Sequence, residues 1–144
     1  MGPSGRSDDG ASPRRDGVVS PVDFSRAVVA LYRDGSSSAV DAPSGPPLRV
    51  DGYTVGAPHL TDNPPHRGEM HPDGDELLYL IAGRINVILE QGGDQDRIGV
   101  EHVEALQPGE VLVVPKGVWH RVEVREPSHL LHITPGPGDG HRPL

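Results

Sequence analysis

The chain has 144 residues, with 13 Lys and Arg against 21 Asp and Glu, a net charge of −8 and no cysteine. That length suits one domain that buries its core without staples, and the missing cysteines exclude disulfides, thiolate metal sites and cysteine nucleophiles. An acidic chain with a single lysine, Lys116, lacks the clustered cations of a nucleic-acid binder, and no apolar run approaches the roughly 20 residues of a membrane span, so neither partner is expected.

In chain order, residues 1–20 are Gly, Ser, Pro, Asp and Arg with almost no apolar content. Such a segment cannot bury enough surface to offset its ordering entropy, and disorder is expected. It also lacks the apolar stretch of a secretory leader, so the cytoplasm is the expected compartment. In "PVDFSRAVVALYRDG", Phe24, Ala27, Val28 and Leu31 recur at i, i+3, i+4 and i+7. That spacing predicts a short amphipathic helix with Asp23 as N-cap and Gly35 as stop. "GSSSAVDAPSGPP" reads as a linker. Residues 21–47 are therefore read as helix and linker, and 48–144 as the main domain.

From Leu48 the apolar period becomes two. Strands are predicted over Leu48–Gly56, His66–His71, Glu76–Ala82, Arg84–Gln91, Ile98–Ala105, Glu110–Val114, His120–Arg125 and Leu130–Thr134. Turn residues separate them: "TDNPP", "HPDGD", Gly83, "QGGDQD", "QPGE", "PKG" and "EPS". The closing "PGPGDG" and "GDGHRPL" read as loop. Many short strands joined by Gly and Pro turns, with no helical stripe among them, indicate an antiparallel sandwich or barrel.

Chemistry-bearing residues collect in two stretches. In "GEMHPDGDELLYLIAG" a tight turn separates His71 from Glu76 and makes them neighbours. Strand parity places Glu69 on the face of His71, so one imidazole and two carboxylates converge. In "GEVLVVPKGVWH" the turn "PKG" leads to His120, which shares a strand face with Val122 and Val124. An inward imidazole among valines needs a polar partner, and a metal shared with His71 and Glu76 would be one. The plainer readings are a satisfied wall histidine for His71 and His120, and a buried ion pair with an arginine such as Arg84 for Glu76. Tyr79, His102 and Trp119 are candidates for the mouth of a cavity or for packing, and Asp75 reads as a turn residue.

These two stretches resemble the two motifs of the cupin superfamily. In the first, G-x5-H-x-H-x3,4-E-x6-G, His71, Glu76 and Gly83 match the second half. In the second, G-x5-P-x-G-x2-H-x3-N, Gly109, Pro115, Gly117 and His120 are in register, with Val124 at the final position. The likeness covers roughly Leu48 to Thr134. It implies an all-β double-stranded β-helix (a jelly-roll barrel), here with the short N-terminal helix added. It also implies one divalent metal inside, held by three imidazoles and a carboxylate, and it permits a homodimer formed through an outer sheet face. Two positions depart from the pattern: Glu69 stands at the first motif histidine and Asn63 at the upstream glycine.

Glu69 either ligates the metal, acts as a nearby acid or base, or lies at the surface. His66 could replace the missing histidine if "RG" forms a bulge. A site of His71, His120, Glu76 and Glu69 suits Fe(II) first, with Zn(II) or Mn(II) as alternatives. His132 is a candidate acid–base group or substrate contact beside it, or else a core or surface histidine. The resulting expectation is a mononuclear-metal, dioxygenase-like enzyme acting on a small organic molecule, with Glu69 or His132 carrying the proton. The alternatives are a metal-dependent isomerase or lyase, a non-catalytic small-molecule-binding module, and a metal-free acid–base isomerase.

Overall fold

Two strands of sixteen residues organise the chain, because each is long enough to run through both layers of the molecule. The computed structural model describes residues 14–15, 18–42 and 48–144, and among them it contains strands and no helix. The strands are β1 (Arg14–Arg15), β2 (Val18–Val19), β3 (Ala27–Tyr32), β4 (Ser37–Asp41), β5 (Gly52–Gly56) and β6 (His59–Leu60). They continue with β7 (His66–Met70), β8 (Glu76–Gln91), β9 (Val100–Leu106), β10 (Val111–Val114), β11 (His120–Pro135) and β12 (Gly140–Pro143). All described pairings are antiparallel, and β3 to β12 join one continuous ten-stranded sheet that folds on itself.

The first half of β8 pairs with β10 and with the second half of β11, which leads on to β5, β3 and β4. We call this the front sheet. The second half of β8 pairs with β9 and with the first half of β11, beside which lie β7 and β12. This is the back sheet. The predicted strand pairs Glu76–Ala82 with Arg84–Gln91, and His120–Arg125 with Leu130–Thr134, are thus each one bent strand. Gly83 takes φ +93° at the bend of β8 and leaves room for Pro127 and Ser128. "EPS" is not a turn but a stretch of register shifts in β11. The Ser128 hydroxyl accepts the Arg84 N–H at 3.0 Å and donates to the Glu126 carbonyl at 2.7 Å, which pins the two bends together.

Between the sheets lie Leu78, Leu80, Ile85, Val87, Leu106, Val114 and Leu130, all buried. Aliphatic side chains carry this core, as the alternation along β8 requires, and truncating one such as Leu80 to alanine costs about 2–5 kcal/mol.

The helix expected within residues 21–47 is not formed. Asp23 does cap a turn: its carbonyl accepts the N–H groups of Arg26 and Ala27, and its carboxylate accepts Ser25 N–H at 2.9 Å. The turn ends there, and Ala27–Tyr32 runs on as a strand paired with β4 and β5. Consecutive Val28 and Val29 prefer extended backbone, and β5 offers an open edge whose hydrogen bonds outweigh a short isolated helix. Gly35, read as a helix stop, sits instead at φ +89° in the hairpin turn between β3 and β4. The sheet therefore begins ahead of residue 48. The disorder expected for residues 1–20 falls mostly on residues outside those described, as does residues 43–47 of the linker; Arg14–Arg15 and Val18–Val19 form a separate two-stranded pair.

The loop expected in "GDGHRPL" is a strand, β12, which pairs with β7 from Gly140↔Met70 to Pro143↔His66. Its anchor is Arg142. The guanidinium is buried, bonds both oxygens of Glu90 at 2.7 and 2.9 Å, and lies 4.3 Å over the Trp119 ring.

Candidate metal centre

Three segments deliver the site. β7 carries Glu69, with His71 just beyond its end, and the first residue of β11, His120, is registered opposite Glu69 in the back sheet. Glu76 opens β8 in the front sheet, opposite Val114 of β10. "HPDGD" is therefore an arch between sheets rather than a hairpin turn, and His71 meets Glu76 across the interior. The arch is held by the "PKG" loop: Gly117 N–H donates to the His71 carbonyl at 2.9 Å and Lys116 N–H to Asp75 Oδ1 at 2.8 Å. Asn63, at the upstream glycine position of the first motif, meets Val124, at the final position of the second: Asn63 Oδ1 accepts the Val124 N–H at 2.7 Å.

One ligand atom from each of Glu69, His71, Glu76 and His120 lies within 4.8 Å of the other three. His120 Nε2 is 2.9 Å from Glu76 Oε1 and 3.7 Å from Glu69 Oε1. His71 Nε2 is 3.4 Å from Glu76 Oε2 and 3.7 Å from Glu69 Oε1. His120 Nδ1 donates to the Val118 carbonyl at 2.9 Å, so in the neutral ring Nε2 is a lone pair aimed at the cluster. His71 Nε2 is buried there without a hydrogen-bond partner. Two imidazole nitrogens and two carboxylates converging on one space, one nitrogen orphaned, fit a divalent transition metal. Second partners already orient the ligands, as metal sites require.

Electrostatics bind the four groups tightly. Burial opposes charge on His71, but the carboxylates of Glu69 and Glu76 outweigh it and push the imidazole up to about 10. Burial likewise opposes charge on His120, and Glu76 raises it. Glu76 is buried, yet His120 and His71 hold it well below the usual carboxylate range. Glu69 is lowered too, its burial offset chiefly by His71.

The cluster opens onto a cavity of about 450 Å³. His132 lines it from β11, with Thr134 two residues on along the same face. Thr134 Oγ1 donates to Glu76 Oε2 at 2.6 Å, and His132 Nδ1 lies 2.8 Å from the same hydroxyl. His66 lines the cavity as well, with Nε2 3.7 Å from Glu69 Oε2, on the far side of that carboxylate from His71 and His120. It does not join the four-residue group, and its Nδ1 accepts the Gly68 N–H at 3.0 Å. Tyr79 and His102 are exposed on outer surfaces, and Trp119 packs under Arg142, so none of the three lines the cavity. Glu76 does not pair with Arg84. Sequence reasoning passed over Thr134, whose signal was its place two residues from His132, and Glu90 with Arg142, which have no local signal.

Fold and site together define a jelly-roll β-barrel protein with an internal group of side chains that could hold a metal ion. The chain belongs to the cupin domain family, whose model matches residues 57–134. It is similar to germin-like protein 9-1 of Oryza sativa subsp. japonica, 40% identical over 60 residues that make up 42% of this chain and 22% of that protein. The match thus spans about a fifth of the relative's length. Among solved structures, Peruvianin-I, a cysteine peptidase from Thevetia peruviana latex, superposes with TM-score 0.53 at 18% identity, over 87% of this chain and 72% of that one. Hydroquinone 1,2-dioxygenase from Sphingomonas sp. TTNP3 with 4-hydroxybenzoate bound gives TM-score 0.50 at 14% identity, over 65% and 68%. At these identities the two superpositions speak for the fold alone.

Proposed function

We propose that Glu69, His71, Glu76 and His120 hold one divalent transition metal, Fe(II) before Zn(II) or Mn(II), and that the protein is a mononuclear-metal enzyme acting on a small organic molecule. The observation that carries this reading is the orphaned, buried His71 Nε2 facing His120 Nε2 and two carboxylates at the floor of an open cavity. A purely structural cluster would have no need of access. Bound there, Fe(II) would supply a centre able to activate dioxygen, and Zn(II) or Mn(II) a Lewis acid for isomerase or lyase chemistry. Two His with carboxylates favour the oxygen-using reading.

The chain's own residues supply the rest. Glu76 is kept ionised by His120 and His71 and held in place by the Thr134 hydroxyl. His132 is lowered by burial, only partly offset by Glu76, so it stands in the cavity as a neutral imidazole able to take a proton from a bound molecule. Glu69 presents one oxygen to the cluster and the other to His66.

Elemental analysis of protein purified anaerobically tests the reading. We expect close to one transition-metal ion per chain, lost in His120→Ala. Oxygen uptake over a panel of small organic compounds then separates an oxygenase from an isomerase or lyase. Wild-type protein that takes up no stoichiometric metal, even when Fe(II), Zn(II) and Mn(II) are supplied, would contradict it.

A further inference from the structure

The polar equipment of the cavity points to the kind of molecule it receives. Its wall is aliphatic: Val28, Leu60, Leu78, Val122 and Leu130. Its charges cancel in pairs. A divalent ion at the floor would be balanced by Glu69 and Glu76, and the remaining charged lining residues, Arg49 and Asp139, are of opposite sign. A charged ligand entering here would lose its hydration and find no uncompensated partner, which is costly in apolar surroundings.

Hydrogen bonding narrows the class further. The Thr134 hydroxyl has one hydrogen, and it goes to Glu76 Oε2 at 2.6 Å, so the 2.8 Å contact with His132 must be donated by His132 Nδ1–H. That assigns the tautomer: His132 Nε2 is a lone pair, with no hydrogen-bond partner among the described residues, in a side chain that lines the cavity. Space for it is made by Gly56, directly opposite His132 in β5, where a Cβ would come within 2.6 Å of Nε2. The free acceptor of the cavity is therefore His132 Nε2, since the Glu69 oxygens face the metal-ligand group and His66, whose Nε2–H is directed at Glu69. Thr54, from β5, can serve in either sense. Acceptors select a ligand that donates.

We infer that the cavity binds a small, uncharged, largely apolar molecule bearing a hydroxyl group, and that His132 Nε2 accepts that hydroxyl's hydrogen bond. This rests on the metal reading only for the charge at the floor; the His132 acceptor and the walls belong to the chain itself.

The test uses the purified full chain, Zn(II)-loaded and metal-free, with four probes that share one phenyl ring and differ in the group it carries: benzyl alcohol, benzoate, benzylamine and toluene. Affinities are read by calorimetry or by NMR titration. Benzyl alcohol should bind at least about tenfold more tightly than benzoate or benzylammonium, since each charged probe must shed its hydration without compensation. His132→Leu should weaken benzyl alcohol by about fivefold to tenfold, the worth of one hydrogen bond, with toluene and metal content unmoved. Thr134→Val, which frees the tautomer while conserving shape, should weaken benzyl alcohol by less than that. Benzoate or benzylammonium binding as tightly as the alcohol overturns the inference, as does a His132→Leu variant that keeps full affinity for it. If no metal binds but the preference for the alcohol survives in the metal-free protein, the metal reading falls and this one stands. If metal binds and benzoate is preferred, the reverse holds.

Discussion

The front and back sheets share the strands β8 and β11 and each supply part of the site, yet their outer faces differ in kind. On the back sheet, Arg121 pairs with Glu101, Arg125 with Glu123, and Asn86 donates to Glu123 at 3.1 Å, a surface laced with charge and made for water. On the front sheet, cross-strand register aligns Val113, Leu77, Ile133, Val55 and Val29 in one row, with Val111, Tyr79 and Leu131 beside it and Tyr53 and Leu31 beyond. Of these, Tyr79, Val111, Val113, Tyr53 and Leu31 are exposed. The near-continuous apolar runs "LLYLIA" and "VLVV" are the pattern of strands covered on both faces. The lesson is that the back sheet meets water largely through paired charges, with Val100 and Val103 of β9 exposed beside them, whereas the front sheet presents a row of apolar side chains.

The sharpest way to break the back half is through its anchor. Arg142→Ala leaves Glu90 buried and unpaired, and should cost about 3–5 kcal/mol in thermal or denaturant unfolding. Replacing both Glu90 and Arg142 by leucine should cost much less, because no charge is stranded. An Arg142→Ala variant as stable as wild type would show that β12 is not what holds β7.

The next largest effect compares the ligands that the two sheets contribute. Glu76, from the front sheet, touches both histidines and is almost fully buried, whereas Glu69, from the back sheet, stands 3.7 Å from each. Glu76→Ala should weaken metal binding by more than about 100-fold and Glu69→Gln by about tenfold, measured by competition with a chromophoric chelator. The opposite ranking would make Glu69 the principal carboxylate.

For the front face we predict a second copy of the same chain. Five strands at roughly 4.8 Å spacing present about 500 Å² of flat apolar area, close to the lower limit per partner for a specific interface. The aligned side chains are uncharged, with the Arg33–Asp51 pair and Asp73 only at the margin beside Leu31 and Tyr53, in a chain of net charge −8, so this is where two copies approach with least repulsion. Residues 1–17, with scarcely an apolar side chain, are poor material to cover it. Light scattering should report a dimer at tens of micromolar, and Tyr79→Glu with Val113→Glu a monomer; a monomeric wild type would sink the assignment.

The smallest effect is a pH dependence of the back-sheet anchor. Burial raises Glu90, but Arg142 and the Gly99 N–H outweigh it, so its folded value lies below the ordinary carboxylate value of 4.5. Its contribution to stability is thus complete above about pH 4.5 and lost as pH falls through the folded value. Glu90→Gln should flatten the acid limb of the melting-temperature profile; an unchanged limb would assign it to other carboxylates.

How much of this was legible follows from the range of the signals. Period-two apolar runs and turn residues are local, so the strands and the inward faces of His71, Glu76 and His120 could be read from residues alone. The family motifs added register, and the structure brings Glu69 into the group with them. The helix over Phe24–Leu31 failed because four apolar residues satisfied a helical spacing while Val28 and Val29 also suited a strand, and only the open edge of β5 decided between them. β12 was invisible because its pairing with β7 spans some seventy residues of sequence and its key contact, Arg142 with Glu90, leaves no mark on either neighbourhood. Thr134 became meaningful only once the Glu76 carboxylate was found within reach of its hydroxyl.

The central claim is that four side chains from β7, the arch, β8 and β11 jointly grip one ion. Anomalous diffraction from crystals grown with Fe(II) or Zn(II) tests it most directly. We predict one strong peak at about 2.0–2.2 Å from Nε2 of both His71 and His120 and bonded to Glu76, with a Glu69 oxygen in or beside the coordination sphere. A map with no peak between these residues, or with the metal seated at another set of ligands, would contradict the account.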